Sequence, residues 1–522
     1  MVSTTQQQPA STLLQLNTNA SYYKWLVAGI ILMASATQTF AGSSVTLAIP
    51  RLMATFGADL AAAQWVTTGF LITRTLVTPL LGWLGGIVGN RTLFVFSLSG
   101  FVVTTIGCGL ATSLPMLIVF RLMQGMALGP LGGLNTVTLV QTFPRHQRGL
   151  ALGLRTLGSS AGQIISFTFG GYCIEHISWR LIFFLGVPSG LAAAGLGLLF
   201  LPQHREARGR SVDYPGLLAL GGFLVPLLLA ISFARNSETA LSTLVLLSLS
   251  ALCSSVLFVV WELHTATPAV NLRLFRLPAF RCICSTAFLN SMGLFTAQFM
   301  MPIFLQRMMG FTPMQAGLII APALVAAGLS GVITGRLTDL LPPPAVVLGG
   351  LLTMTGVFYA LSSVTVYTTT ATLVGIIVLY RMCMHTISLP VTALNAQVLE
   401  GAEVRMGQGL LGVVRNIGAG FGVTVASVMF ERQRSAHQLQ AYEVYNDASP
   451  AHVDTLDELK RLLHDGGIDG AAADRAALGF IRRQMDLEAI AAGFHSSFFL
   501  ACVCFVLASL PMIWLLNRRY RR

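Results

Sequence analysis

The chain has 522 residues, of which 54% are hydrophobic and only 10% are charged, and its formal net charge is +12. Its mean hydropathy of +0.72 excludes an ordinary soluble globular protein and indicates that most residues lie within a membrane. In a soluble protein the positive charge would suggest nucleic-acid binding. Here we expect no nucleic-acid partner, because the basic residues concentrate in short connections between apolar stretches.

Apolar stretches of about the length that crosses a bilayer follow one another along the whole chain. The fourteen stretches are 26–45, 65–84, 93–112, 116–138, 151–172, 181–201, 216–232, 241–261, 283–304, 315–334, 345–364, 372–391, 407–430 and 493–516. They predict an all-α membrane protein with 14 transmembrane helices, for which the lipid bilayer is the obligatory surrounding.

The basic residues predict the orientation of these helices. Connections after even-numbered stretches carry most of the arginines, so the positive-inside rule puts both termini in the cytoplasm of a multi-pass inner-membrane protein. We divide the chain into a cytoplasmic tail, a first six-helix bundle, two additional spans, a second six-helix bundle and a basic tail, at 1–23, 24–201, 202–262, 263–516 and 517–522.

One connection, 431–492, is long and polar, and this orientation makes it periplasmic. Segments 454–464 and 471–492 have helical apolar spacing, and the glycine-rich stretch 466–470 between them predicts a turn. We expect a helical hairpin whose second arm can continue into the last span. It is either a cap over the outer mouth or a docking surface for a periplasmic partner.

All eight cysteines lie in or beside apolar stretches, without histidine or acidic residues at the spacing of a zinc site. We expect them to be small packing residues. No nucleotide-binding motif or nucleophile–base arrangement is evident in the sequence. We therefore predict no metal, no cofactor, no catalytic residue and no enzymatic activity.

Several basic side chains interrupt the apolar stretches, and no acidic residue lies at a comparable depth. A charge at the bilayer centre costs at least about 2.5–3.5 kcal/mol, so such residues usually face a polar cavity or a fixed partner. For Arg121 and Arg415, hydrogen bonds to backbone carbonyls are the alternative to a substrate role. The residues that we predict to line the substrate cavity are Gln38, Arg74, Arg121, Gln124, Arg381 and His385.

Sequence motifs add a family resemblance. Leu117-Ile-Val-Phe-Arg121-Leu-Met-Gln124-Gly125 is followed by Phe143-Pro144, Arg148-Gly149, Ser178-Trp179-Arg180 and Trp261-Glu262. In this order the motifs resemble the major facilitator superfamily, specifically its fourteen-span drug/proton antiporter branch of the EmrB and QacA type. The resemblance implies two six-helix bundles, with two extra central helices, that alternate access to a site near the membrane midplane.

The resemblance also implies motif residues for the conformational change, which here are Gly82, Arg91, Gly125, Gly129, Gly170, Gly171, Gly335, Asp339 and Arg415. Two departures stand out. Gly86 occupies the acidic position of the loop motif after the second span, whereas the second copy keeps Asp339. Ala41 occupies the position of an acid that this branch usually carries in the first span.

We therefore expect an EmrB-like secondary exporter of small amphipathic compounds, with a periplasmic adaptor and an outer-membrane channel as partners if the hairpin is a docking surface. The embedded cations favour anionic substrates. His385 is then the candidate titratable group, unless it only hydrogen-bonds a backbone carbonyl. The alternative function is a non-transporting receptor or scaffold derived from the transporter fold.

Overall fold

The computed structural model describes residues 21–58, 60–203, 213–233, 240–265, 268, 270–311, 313–364, 368–399, 402–444, 457–458, 460–464 and 471–520. Within these ranges the chain is almost entirely α-helical and forms no β-strand. The predicted all-α class is confirmed.

The helices follow the predicted apolar stretches. In the first part of the chain they are α1 (Ser21–Phe56), α2 (Leu60–Val77), α3 (Leu81–Val88), α4 (Asn90–Gly109), α5 (Leu114–Leu128), α6 (Leu131–Thr142), α7 (Arg148–His176), α8 (Leu181–Phe184) and α9 (Gly186–Phe200). Then come α10 (Tyr214–Phe233), α11 (Leu241–His264), α12 (Pro278–Arg307), α13 (Pro313–Leu340), α14 (Pro343–Leu361), α15 (Thr370–Val398), α16 (Ala402–Val444) and α17 (Ala471–Tyr520).

All fourteen predicted stretches are helical, and twelve candidate spans are long and apolar enough to cross a membrane within the described residues. The two stretches that do not qualify lie in α7, which carries many polar and small residues, and in α10, whose apolar part is only Pro215–Ile231. The membrane-protein architecture is confirmed, and the number fourteen stays a prediction.

Proline shapes two of the spans. The second span passes from α2 through a 3-10 turn at Thr78–Leu80 into α3, and Pro79 lies in that turn. The fourth span is divided between α5 and α6 beside Pro130. A proline inside a helix removes one backbone hydrogen bond and clashes with the preceding turn, so both spans are interrupted near their middle.

Two groups of helices enclose most of the buried hydrophobic side chains. Helices α1–α9 enclose two clusters, one of them around Phe94 and Phe101, and helices α12–α17 enclose a larger cluster around Phe304, Phe358 and Phe498. We call these groups the N-half and the C-half. Side chains of α6 also belong to the larger cluster, so the two halves share apolar packing where they meet.

Helix α10 lies against both halves. Thr424 Oγ1 of α16 donates a hydrogen bond to Ile231 O (3.0 Å), and Trp65 of α2 makes an edge-on contact with Phe233. Helix α11 packs against α10, and most of its large apolar side chains are exposed, as expected for a helix that faces lipid.

The long connection before the last span is more helical than predicted. Helix α16 does not end near Phe430 but continues to Val444. Helix α17 is one continuous helix from Ala471 to Tyr520, so the predicted continuation of the second arm into the last span is confirmed. Described residues of the first arm, 457–458 and 460–464, are helical, and the predicted turn at 466–470 lies outside the described residues.

Candidate substrate-binding site

The two halves repeat one pattern of functional residue types at a distance of 260 residues. The span-four pattern Arg-x8-Pro-x3-Leu-Asn occurs twice, and so does the following pattern Arg-x2-Gly-x3-Gly. The first copies are Arg121-Pro130-Leu134-Asn135 and Arg155-Gly158-Gly162, and the second copies are Arg381-Pro390-Leu394-Asn395 and Arg415-Gly418-Gly422.

The packing of the glycines shows that this repeat is structural. A Cβ atom added at Gly158 would collide with the carbonyl of Leu32 in α1, and one added at Gly418 would collide with the carbonyl of Phe288 in α12. Glycine allows the same close approach of backbones in both halves. Arg121 and Arg381 are therefore equivalent positions, and so are Arg155 and Arg415.

Arg121 is held in place by the N-half. Its Nε donates to Val66 O (3.0 Å) and its NH1 donates to Ala41 O (3.2 Å) and to Gln124, while the guanidinium lies 4.3 Å from the ring centre of Phe70. The side chain is only 1% exposed. These are the backbone hydrogen bonds considered as the alternative to a substrate role.

A small void adjoins Arg121 and is also lined by Ala41, Ser44, Thr105 and Gln124. Its free volume is about 10 Å³, which is room for one water molecule. Ligand pockets are typically tens of times larger, so this void does not bind a substrate in the present conformation.

The two glutamines predicted for the cavity also have partners. Gln38 Nε2 donates to Leu128 O (3.3 Å), and Gln124 Nε2 donates to Thr105 Oγ1 (2.6 Å). Both side chains are buried. Their hydrogen bonds join helices within the N-half.

Arg415 resembles Arg121 in having fixed partners. Its NH2 donates to Ser388 O (3.0 Å) and to Thr392 Oγ1 (2.8 Å), both in α15. This guanidinium therefore joins α16 to α15 within the C-half.

Arg381 and His385 differ sharply from these arginines. Both side chains are buried on α15, one turn apart, and the guanidinium of Arg381 lies 5.4 Å from the ring centre of Tyr380. Arg381 Nε and His385 Nδ1 have no hydrogen-bond partner among the described residues. The alternative in which Nδ1 of His385 hydrogen-bonds a carbonyl is thus not the arrangement seen here.

Arg155 is a further embedded cation that the sequence reasoning overlooked, although it lies inside the predicted span 151–172. Its Nε is buried without a partner in the described part of the chain. Its charge interacts with those of Arg74 and Arg415 and acts on His385. The 260-residue repeat would have identified it as the counterpart of Arg415.

Helix α7, which carries Arg155, packs against α15, which carries Arg381 and His385, and the charge of Arg155 also acts on Arg415. No described carboxylate forms an ion pair with Arg74, Arg155, Arg381 or Arg415. Like charges in surroundings of low dielectric repel each other, so these groups favour a negative charge nearby.

The halves pack closely at one end of the molecule, which we call the closed end. Asp339 at the end of α13 accepts hydrogen bonds from Gly149 N (2.7 Å) and Leu150 N (2.9 Å) at the start of α7. A Cβ atom at Gly335 would collide with the carbonyl of Gly149. Glycine is needed here because two backbones are in direct contact.

A second contact at the closed end joins α3 to the start of α16. A Cβ atom added at Gly82 would lie 2.6 Å from Met406 Cγ, and one at Gly85 would lie 3.2 Å from Arg405 Cδ. Asn416 Nδ2 donates to Thr75 Oγ1 (3.1 Å) nearer the middle of the molecule. Arg91 lies beside this contact at the start of α4.

The remaining predicted motif residues serve helix packing or lie apart from the site. Gly125 and Gly129 contact the backbone of α2 around Phe70 and Arg74. Gly170 and Gly171 lie towards the far end of α7, where an added Cβ would meet nothing within 4 Å. The embedded cations lie between these two ends.

Comparison with known proteins identifies the family. The model of the Major Facilitator Superfamily matches residues 29–423. The chain belongs to this superfamily.

Relatives of similar length include two bacterial proteins. The chain is 26% identical to the fatty acid resistance protein FarB of Neisseria gonorrhoeae over 474 residues, covering 90% of this chain and 91% of that protein. It is 26% identical to the multidrug export protein EmrB of Escherichia coli K12 over 494 residues, covering 92% and 93% of the two chains. The predicted family resemblance is confirmed.

Solved structures show the same fold. The crystal structure of the human organic anion transporter MFSD10 superposes with a TM-score of 0.62 at 13% identity and covers 93% of this chain and 99% of that one. At this identity the likeness establishes the fold alone. The family match and the export-protein relatives make this protein a membrane transporter.

Proposed function

We propose that the protein is a secondary active exporter of small amphipathic anions in the cell inner membrane, working by alternating access. The observation that carries this proposal is that the embedded Arg74, Arg381 and His385, of which the last two are buried, have no carboxylate partner among the described residues. At an effective dielectric of about 20, one charge 4 Å away contributes about 4 kcal/mol. Such a site attracts an anionic headgroup and repels a lipophilic cation.

The relatives support an export function and this substrate class. EmrB is a multidrug export protein, and the name of FarB refers to fatty acid resistance. Fatty acids carry one carboxylate on an apolar chain, which is the chemistry that a buried cationic site between apolar helices would bind. Neither name identifies the ion whose gradient would drive transport by this chain.

The proposed orientation has both termini in the cytoplasm, so the closed end would face the cytoplasm. Export then requires the Asp339 contact to break, so that the cationic group becomes accessible from the cytoplasm. Rocking of the N-half against the C-half would provide this motion.

Transport by the purified protein in liposomes tests the substrate class. We expect uptake of octanoate driven by a pH gradient and no uptake of octyltrimethylammonium, because only the first compound complements the buried cations. Uptake of the cation in preference to octanoate would contradict the proposal. Absence of transport for both compounds would favour the receptor or scaffold alternative, and H385Q under the same gradient would show whether His385 couples proton movement to transport.

We also propose that the helical extension beyond the membrane docks a periplasmic adaptor that leads to an outer-membrane channel. Helix α16 continues about 20 Å past Phe430, and α17 begins about 33 Å before Gly493, at 1.5 Å per residue. Leu439, Leu462 and Phe480 on this extension are 58–65% exposed. Exposed apolar residues outside the bilayer are typical of a protein-binding surface.

Substitutions on this extension test the docking proposal. Leu439→Ser with Phe480→Ser should abolish export by whole cells and leave transport in liposomes intact, because the membrane-embedded site is untouched. Shortening the connection across 466–470 should have the same effect. Loss of transport in liposomes as well would contradict docking and indicate a role in folding or gating.

A further inference from the structure

The internal repeat shows which cations are available to a ligand. Each of the two equivalent pairs contains one arginine with fixed partners: Arg121 bonds backbone carbonyls in α1 and α2, and Arg415 bonds Ser388 and Thr392 in α15. The counterparts, Arg381 and Arg155, have a buried Nε without a partner within the described ranges. One arginine of each pair therefore joins helices within its own half, and the other has no hydrogen-bond partner at Nε in the described part of the chain. We call the second kind uncommitted.

The two uncommitted arginines come from different halves. Arg155 is on α7 of the N-half and Arg381 is on α15 of the C-half, and these helices are in contact. His385 lies one turn after Arg381 on α15 and is also buried with an unpartnered Nδ1 among the described residues, and the charges of both arginines act on it.

This arrangement is unfavourable without a ligand. A guanidinium whose buried Nε has no hydrogen-bond partner has lost hydration without replacement, and a second positive charge nearby adds repulsion. Arginine also has a planar fork of donors that fits the two oxygens of a carboxylate, which a lysine does not provide. A single anionic group between the two arginines would satisfy both.

We infer that Arg155 and Arg381 form a clamp for one carboxylate, or a similarly small anionic headgroup, with one arginine contributed by each half of the protein. This inference rests on the proposed transport of amphipathic anions and assigns its headgroup site. Because both halves hold the same group, binding of the anion draws the halves together and connects substrate binding to the transport motion.

Calorimetric titration of the purified protein in lipid nanodiscs tests the clamp with two probes of equal chain length, octanoate and the neutral octanamide. R155Q and R381Q should each weaken octanoate binding about 10- to 100-fold, the effect of losing one hydrogen-bonded charge partner, and leave octanamide binding unchanged. R155K and R381K, which keep the charge and lose the fork, should give intermediate affinities.

A double-mutant cycle distinguishes a shared headgroup from two independent effects. If both arginines hold one carboxylate, R155Q/R381Q should weaken octanoate binding less than the product of the two single effects. The matched control is R415Q at the position equivalent to Arg155. It should lower the melting temperature because two hydrogen bonds are lost, whereas R155Q should leave the melting temperature unchanged or raise it because like-charge repulsion is relieved.

The outcomes separate the clamp from the proposed function. If the wild-type protein binds octanoate no more tightly than octanamide, the anionic substrate class itself is wrong. If it prefers octanoate but R155Q or R381Q binds octanoate as tightly as the wild type, the clamp is wrong and the substrate class stands. Independent, multiplicative effects of the two substitutions would also overturn the clamp.

Discussion

The two contacts that join the halves at the closed end differ in chemistry, although corresponding motifs form them. Between α13 and α7, the Asp339 carboxylate accepts two backbone hydrogen bonds at a helix N-terminus, where the helix dipole also favours negative charge. Between α3 and α16, Gly86 occupies the acidic position, Gly82 packs against the side chain and backbone of Met406, and Gly85 packs against the side chain of Arg405. One contact includes a charged group that accepts two hydrogen bonds, and the other depends in large part on side-chain packing.

Because of this difference, we expect the two contacts to contribute unequally to keeping the closed end shut. A charge-assisted hydrogen bond contributes about 1.5–3 kcal/mol, whereas van der Waals contacts of a flexible side chain adapt to small displacements. The α13–α7 contact should therefore determine how often this end opens, and the α3–α16 contact should follow it.

Removing the carboxylate should have the largest effect. D339A loses both hydrogen bonds, so we expect the closed end to open at least tenfold more often, on the basis of about 1.5 kcal/mol per bond. Hydrogen exchange of the amides at the start of α7 should accelerate accordingly. D339N retains one acceptor oxygen and should give an intermediate rate. Unchanged exchange in D339A would show that glycine packing alone holds the contact.

Adding a methyl group to each contact should separate rigid from flexible packing. G335A places a Cβ atom against the backbone carbonyl of Gly149, which cannot move without shifting a helix, so we expect a loss of about 1–3 kcal/mol in stability. G85A meets the movable side chain of Arg405, whose Cδ would lie 3.2 Å from the new Cβ, and should cost less than about 1 kcal/mol. Thermal unfolding of both variants measures the difference, and equal losses would contradict the distinction.

Restoring the missing acid should give the smallest effect. Gly86 lies one turn after Gly82, on the helix face that packs against Met406, so G86D brings a carboxylate towards the start of α16. We expect slower exchange of amides in α3 and slower transport, by a factor of a few, because each such charge interaction contributes about 0.3–1 kcal/mol. Faster exchange would mean that this contact does not tolerate a charge.

The sequence predicts the helices well because hydrophobic length is a strong signal for membrane spans. All fourteen apolar stretches are helical, and α17 continues through the last span as expected. The extension of α16 to Val444 was missed because its outer part is polar on most faces, so no apolar periodicity marks it.

The site is less predictable from sequence. The apolar context identifies Arg121, Arg381 and Arg415 as embedded cations, but it cannot distinguish a guanidinium that bonds carbonyls from one that has no partner, because the partners belong to distant helices. Arg155 was recoverable from the repeat, since its spacing to Gly158 and Gly162 matches that of Arg415 to Gly418 and Gly422.

Helix α10 makes the two contacts between the halves, α7–α13 and α2–α16, different in composition. Between α7 and α13 the two halves contact each other directly, with backbone against backbone at Gly149 and Gly335. Between α2 and α16, helix α10 contacts both helices: Phe233 packs edge-on against Trp65, and the carbonyl of Ile231 accepts a hydrogen bond from Thr424. The halves therefore touch each other directly at the first contact and partly through α10 at the second. Any rocking of the halves must therefore slide α10 along at least one of them.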